Sequence, residues 1–195
     1  MSNDINQDGA APGGDPEGGR GQGSFGAMLH WMRDLVLSVL IAIAVILFLF
    51  QPVKVEGTSM MPSLVDQERI FINKFIYRFG LGEVERGDLV VFWFPGDPTK
   101  SYIKRIIGLP GDTVEIRAGQ VVVNGQPLEE SYVPAAYRDR QTRPPVTVPA
   151  EHYYVLGDHR SSSNDSRNWG PVGRDQIYGK AVFVYWPLEK LGPID

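Results

Sequence analysis

DTVEIRAGQVVVNGQPL, residues 112–128, settles the character of the chain. Thr113–Arg117 and Gln120–Val123 are short runs rich in β-branched residues, joined by Ala118-Gly119 and followed by Asn124-Gly125. Such a pattern reads as a tight β-hairpin leading into an Asn-Gly turn. The same texture recurs on both sides. RIFINKFIYRF (69–79), DLVVFWFP (88–95), SYIKRIIG (101–108), HYYVLGD (152–158) and KAVFVYWP (180–187) are rich in Val, Ile, Phe and Tyr, with Gly, Pro, Asn and Asp between them. No stretch after residue 52 has helical periodicity, and no repeat of solenoid spacing occurs. The fold class expected is mainly β: antiparallel sheets forming one core, built as packed sheets or a partly closed barrel. Residues 112–150, Pro-rich toward their end, are expected to form a small lobe or flap on the 53–195 domain.

The N-terminal part differs. Residues 1–30 hold eight glycines and almost no large apolar side chain before Phe25, so they are expected to be a disordered tail. Leu35–Phe50, LVLSVLIAIAVILFLF, has Ser38 as its one polar residue and no charge. Sixteen residues give about 24 Å of helix, and Trp31-Met32 and Gln51-Pro52 bring the segment to spanning length. Residues 31–52 are therefore expected to be a single transmembrane anchor. A cleaved signal peptide is the rival, but the apolar run is long for one and QPVKVEG offers no small-x-small cleavage site. With Arg20 and Arg33 as the cations before the apolar run, charge gives little guide to orientation.

Composition excludes several chemistries. The chain has 195 residues, 43% of them hydrophobic, and a net charge of −4, so no basic field points to nucleic acid. There is no cysteine, hence no disulfide, thiolate metal site or cysteine nucleophile. Neither histidines nor aspartates fall at metal-ligand spacing, and Asp158–Asp165 lacks the pattern of a calcium loop. No metal or cofactor is expected.

GTSMMPSL (57–64) places Ser59 a few residues beyond the apolar run. A serine hydroxyl becomes a nucleophile only when a neighbouring base takes its proton. His30 precedes the apolar run, and Asp158-His159 are adjacent residues that cannot both face one site from a strand. Lys104 sits among Tyr102, Ile103, Ile106 and Ile107. It is either a solvated strand-edge cation or, if desolvated, an amine with a depressed pKa able to act as a base. The strand alone leaves both readings open.

Four blocks in order after one apolar segment change that balance: GTSMMPSL, RGDLVVF (86–92), YIKRIIGLPGD (102–112) and GDHRSSSNDSR (157–167). Together they resemble type I signal peptidase, the membrane-bound Ser-Lys endopeptidase, over most of residues 31–186. The resemblance implies Ser59 as nucleophile, Lys104 as general base and cleavage of exported preproteins after Ala-x-Ala-like sites. It places Ser163 where a hydroxyl orients the lysine, Asp165 and Arg167 where an ion pair supports that loop, and Asp158 and Arg160 in the same scaffold. It makes Val55, Met60, Leu64, Val91, Tyr102 and Ile103 the lining of shallow pockets for small side chains, although each can equally be ordinary core. As partners it implies signal peptides, membrane lipid and proximity to the export machinery. As location it implies the cytoplasmic membrane, with the catalytic domain on its outer side.

Two positions depart from the family pattern. Gly57 stands where some members carry a serine that helps hold the oxyanion, and His159 stands where asparagine is common. Two further functions remain to be weighed. A self-cleaving repressor shares the Ser-Lys logic but needs a DNA-binding region in place of the anchor. A membrane-tethered β module without activity needs neither Ser59 nor Lys104.

Overall fold

The computed structural model describes residues 22–75 and 82–194. Helix α1 runs Gln22–Leu49 and contains one stretch, Gly26–Ile46, long and apolar enough to cross a membrane. Leu35, Leu40, Ile43 and Ile46 are among its exposed side chains. Two expected boundaries change. The helix begins at Gln22, so residues 22–30 are helical and only 1–21 of the expected tail lie outside the described residues. Once a helix is nucleated each added residue gains a hydrogen bond, which carries it past Gly26 despite that residue's poor propensity. At the other end the expected anchor overruns: Phe50–Lys54 is strand β1, not helix. Pro52 accounts for the change, since it can neither donate a helical hydrogen bond nor leave its predecessor helical.

The remaining strands are β2 (Arg69–Asn73), β3 (Leu89–Phe94), β4 (Asp97–Gly108), β5 (Thr113–Arg117), β6 (Gln120–Val123), β7 (Gln126–Pro127), β8 (Arg143–Thr147), β9 (His152–Leu156), β10 (Val172–Gly173), β11 (Ile177–Trp186) and β12 (Gly192–Pro193). Among the described residues every pairing is antiparallel, in two sheets. The larger follows the order β1-β2-β11-β3-β4-β9-β10, with β12 on β11; the smaller is β7-β6-β5-β8. The expected strand at 69–79 ends at Asn73, and its residues 76–79 lie outside those described.

The smaller sheet falls within residues 112–150, the segment expected to form a lobe or flap and called the lobe below. Its hairpin pairs Val114 with Val123 and Arg117 with Gln120, as the sequence predicts. Strand β8, RPPVT, carries two prolines and occupies an edge, where a missing N–H breaks no ladder. Ile107, Val114, Ile116, Val121, Val123, Val148, Tyr154 and Leu156 form its core. Under the larger sheet a second cluster joins Val55, Met60, Leu64, Ile70, Ile72, Leu89 and Val91. A third joins Val90, Phe92, Ile106, Val155 and Ile177.

One feature of the larger sheet positions the site. β4 pairs with β3 from Asp97 to Arg105, but with β9 only from Arg105 to Gly108. Among the described residues, the second edge of Ser101–Lys104 therefore meets no strand.

Candidate active site

That unpaired edge forms one wall of a cavity of about 320 Å³. Val53–Glu56 form another wall, and Ser59, Ile70, Val91, Ser101–Lys104 and Asn164 complete it. Ser59 lies in the turn at 57–64, which the backbone closes with Met61 N–H donating to Thr58 O (3.1 Å) and Leu64 N–H to Met60 O (2.9 Å). Gly57 enters this turn at φ +93°, a conformation that an L side chain rarely adopts, and its N–H donates to Asp66 Oδ1 at 2.8 Å. The departure at Gly57 thus matches the backbone found there.

Lys104 comes from β4, 45 residues away in sequence, and its Nζ lies 2.7 Å from Ser59 Oγ and 3.0 Å from Ile103 O. The lysine is 4% exposed. Burial lowers its pKa to about 8, overcoming Asp165 and Asp158, which favour the charged form, while Arg167 acts with burial. The ring of Tyr102 lies 5.4 Å from Nζ. No carboxylate makes an ion pair with Lys104 among the described residues.

The loop at 157–167 packs against this pair. His159 N–H donates to Ser59 O at 3.0 Å. A Cβ at Gly157 would fall 2.2 Å from Ser163 Oγ and 2.5 Å from Ser59 O, so only glycine permits so close an approach. Asp165 is fully buried; it accepts from Gly157 N–H (3.1 Å), caps the one-turn helix α2 (Ser166–Trp169) and pairs with Arg167 at 2.7 Å. Asp158 accepts from Arg105 Nε (3.0 Å) and Nη2 (2.9 Å), and from Ser63 Oγ at 2.5 Å. Arg160 pairs with Glu130 and donates to Gly157 O at 3.0 Å.

The residues expected at the site largely converge here, with two differences. Ser163 Oγ is buried beside Gly157 but has no hydrogen-bond partner among the described residues, so the expected bond to Lys104 is not formed. Of the expected pocket residues, Val55, Val91, Tyr102 and Ile103 line the cavity. Met60 and Leu64 do not; they are fully buried in the core cluster that includes Val55 and Val91. Leu64 N–H closes onto Met60 O, so these residues, four apart, share the inward face of the turn, which a row of apolar residues in sequence does not disclose. Neither His152 nor His159 bonds to the Ser59 hydroxyl: their Nδ1 atoms meet Ala150 O and Thr58 O.

Sequence reading missed Ser63, Arg105, Glu130 and Asp139. Ser63 and Arg105 lie inside two of the quoted blocks and could have been asked for as partners of Asp158. Glu130 and Asp139 carry no local signal, because their arginine partners are 30 and 28 residues distant.

Comparison with known proteins identifies the family. A family model described as signal peptidase, peptidase S26, matches residues 28–186. A signal peptidase I of Leptolyngbya laminosa is 38% identical over 175 residues, spanning 86% of this chain and 84% of that protein. Signal peptidase I S of Bacillus subtilis strain 168 is 39% identical over 176 residues, spanning 85% of this chain and 92% of that protein. The crystal structure of a signal peptidase I from Enterococcus faecalis V583 is 34% identical, covering 50% of this chain and 96% of its own, with a TM-score of 0.45. The chain belongs to the signal peptidase family, peptidase S26, a family of serine endopeptidases.

Proposed function

We propose that this chain is a membrane-anchored endopeptidase that removes signal peptides after small-x-small sites, with Ser59 as nucleophile and neutral Lys104 as general base. The observation that carries the reading is the 2.7 Å contact between Ser59 Oγ and a buried lysine amine on the wall of the cavity. Near neutral pH an amine with a pKa of about 8 is partly deprotonated. Its lone pair then accepts the Ser59 proton as Oγ attacks the scissile carbonyl carbon. The resulting ammonium returns that proton to the leaving amine, and the Ser59 acyl ester remains. Water, deprotonated by the same amine, hydrolyses the ester and restores the pair.

The carbonyl oxygen becomes an oxyanion in each step. Ser59 N–H donates to no group among the described residues, which supports it as the main-chain donor. Gly57 has no side chain to add a second. Ser163, whose Oγ is buried beside Gly157, is assigned the orientation of the lysine amine, with Asp158, Arg160, Asp165 and Arg167 holding its loop.

Substrate recognition follows from the cavity. An extended peptide lying between Val53–Glu56 and the free edge of Ser101–Lys104 can satisfy backbone groups that the sheet leaves open. Val55, Val91, Tyr102 and Ile103 would then face alternate side chains, and so shallow a space suits alanine. Met60 and Leu64 set its depth from the core behind. The apolar stretch of α1 supports an anchor and contact with lipid. The family supports an outward-facing catalytic domain working close to the export machinery. Incubating the purified protein with a peptide containing an Ala-x-Ala site, beside Ser59→Ala, tests the reading: cleavage only by the unmodified chain supports it, and equal cleavage by both overturns it.

A further inference from the structure

The chain between β7 and β8 touches the 157–167 loop at three points. Glu130 forms a bidentate ion pair with Arg160, Asp139 pairs with Arg167, and the ring of Tyr137 meets that of His159 edge-on at 4.8 Å. Each loop partner in turn holds a backbone carbonyl beside the reacting groups. Arg160 Nε donates to Gly157 O at 3.0 Å, and Arg167 Nη2 to Ser163 O at 3.3 Å. His159 N–H donates to Ser59 O (3.0 Å), and its Nδ1 lies 3.2 Å from Thr58 O. We propose that Glu130, Tyr137 and Asp139 are positioning residues for the reaction, holding the 157–167 loop, and through it the Ser59 turn, against Lys104. The proposal rests on the assignment of Ser59 and Lys104 made above.

Arg160 takes its counter-charge from the lobe, while Arg167 shares Asp139 of the lobe with Asp165 of its own loop. The side chains of Arg160 and Arg167 are each 3% exposed, and a buried guanidinium without a counter-charge is strongly destabilising. Asp158 is held by Arg105 and Ser63, and Asp165 serves Gly157 N–H as well as Arg167. Arg160 meets no carboxylate inside its own loop; Glu130 is its ion-pair partner. The guanidinium groups thus act as rigid forks with the lobe on one side and catalytic backbone on the other. A displacement of about 1 Å at reacting groups can cost on the order of a hundredfold in rate, so a small relaxation of this loop reads out in turnover.

The test compares Asp139→Asn and Tyr137→Leu with the unmodified chain, Ser59→Ala, and Glu115→Gln, which alters a lobe charge paired with Arg117 and not with the loop. Cleavage of an Ala-x-Ala peptide is measured as separate kcat and KM, with a thermal melt confirming that each protein is folded at the assay temperature. Asp139→Asn is expected to lower kcat roughly tenfold and Tyr137→Leu roughly threefold with KM little changed, as loss of orientation alone requires. Glu115→Gln should match the unmodified chain. Folded variants that keep full kcat, or that raise KM alone, overturn the proposal. If Asp139→Asn fails to fold, Tyr137→Leu decides by the same criterion. If the unmodified chain cleaves nothing, the peptidase reading falls and takes the positioning role with it; if it cleaves and the variants do too, only the positioning role falls.

Discussion

Lys104 and Arg105 are successive residues of β4, both cationic and both almost fully buried, yet their surroundings are opposite. Arg105 is met by the Asp158 carboxylate, by Ser63 Oγ (3.2 Å) and by Gly87 O (2.9 Å), with its guanidinium 4.0 Å from the centre of the Tyr132 ring. Lys104 meets a hydroxyl and a carbonyl. Burial penalises a charge by the same physics on either side of the strand. Where a carboxylate offsets the penalty, the cation becomes part of the scaffold. Where none does, the proton leaves more easily and the residue becomes a base.

The sharpest way to break this comparison is activity. Ser59→Ala and Lys104→Ala should each abolish cleavage, with losses of about a thousandfold or more, because nucleophile and base act as a unit. Lys104→Arg should fail equally, since a guanidinium does not deprotonate near neutral pH. Turnover near that of the unmodified chain by any of these proteins ends the Ser-Lys assignment.

Stability should separate the two cations in the opposite direction. Asp158→Asn leaves Arg105 buried without its counter-charge and should cost about 3–5 kcal/mol in denaturant unfolding. Lys104→Met should cost nothing and stabilise the fold at pH 7. The folded-state pKa of Lys104, about 8, lies below its ordinary value of 10.5. The unfolded chain therefore binds more protons between pH 8 and 10.5, and stability rises with pH through that window, by about 3 kcal/mol in all. Below pH 8 both states carry the proton and the penalty is constant, which is what methionine removes. A large loss of stability on Lys104→Met would mean that the amine is held as a charge, like Arg105.

Much of this was legible in the sequence, and the exceptions have physical reasons. The hairpin at 113–123 and strands β3, β4, β9 and β11 followed from short β-branched runs between turn residues. β8 did not, because Arg143–Thr147 has two prolines and holds its place only as the edge partner of β5. The end of α1 was misplaced because Phe48-Leu49-Phe50 is uniformly apolar and only Pro52 marks the change. At the site, Ser59 and Lys104 stood out by residue type, but the fate of Lys104 did not. Whether a lysine among apolar neighbours is wet or dry depends on what surrounds it in space, and here that includes the Ser59 turn, 45 residues away in sequence. The lobe carboxylates were invisible for the same reason.

A smaller effect is expected from Ser163→Ala. Its hydroxyl is buried beside Gly157 without a partner among the described residues, so its contribution arises only when the amine turns toward it during reaction. A reduction of kcat by roughly ten- to a hundredfold, with KM steady, would match an orienting role. Full activity from pH 7 to 10 would make Ser163 a packing residue of the turn.

The most direct test of the central claim, that desolvation turns Lys104 into the base, is the pH dependence of kcat/KM in the unmodified chain and in a variant carrying both His152→Gln and His159→Gln. Activity should rise through an apparent pKa near 8 in both, since Lys104 titrates there and neither imidazole bonds the Ser59 hydroxyl. Loss of His159 can lower the plateau by loosening the Ser59 turn, but it should leave the midpoint in place. A midpoint that shifts or disappears in the double variant would assign the proton to histidine and contradict the account.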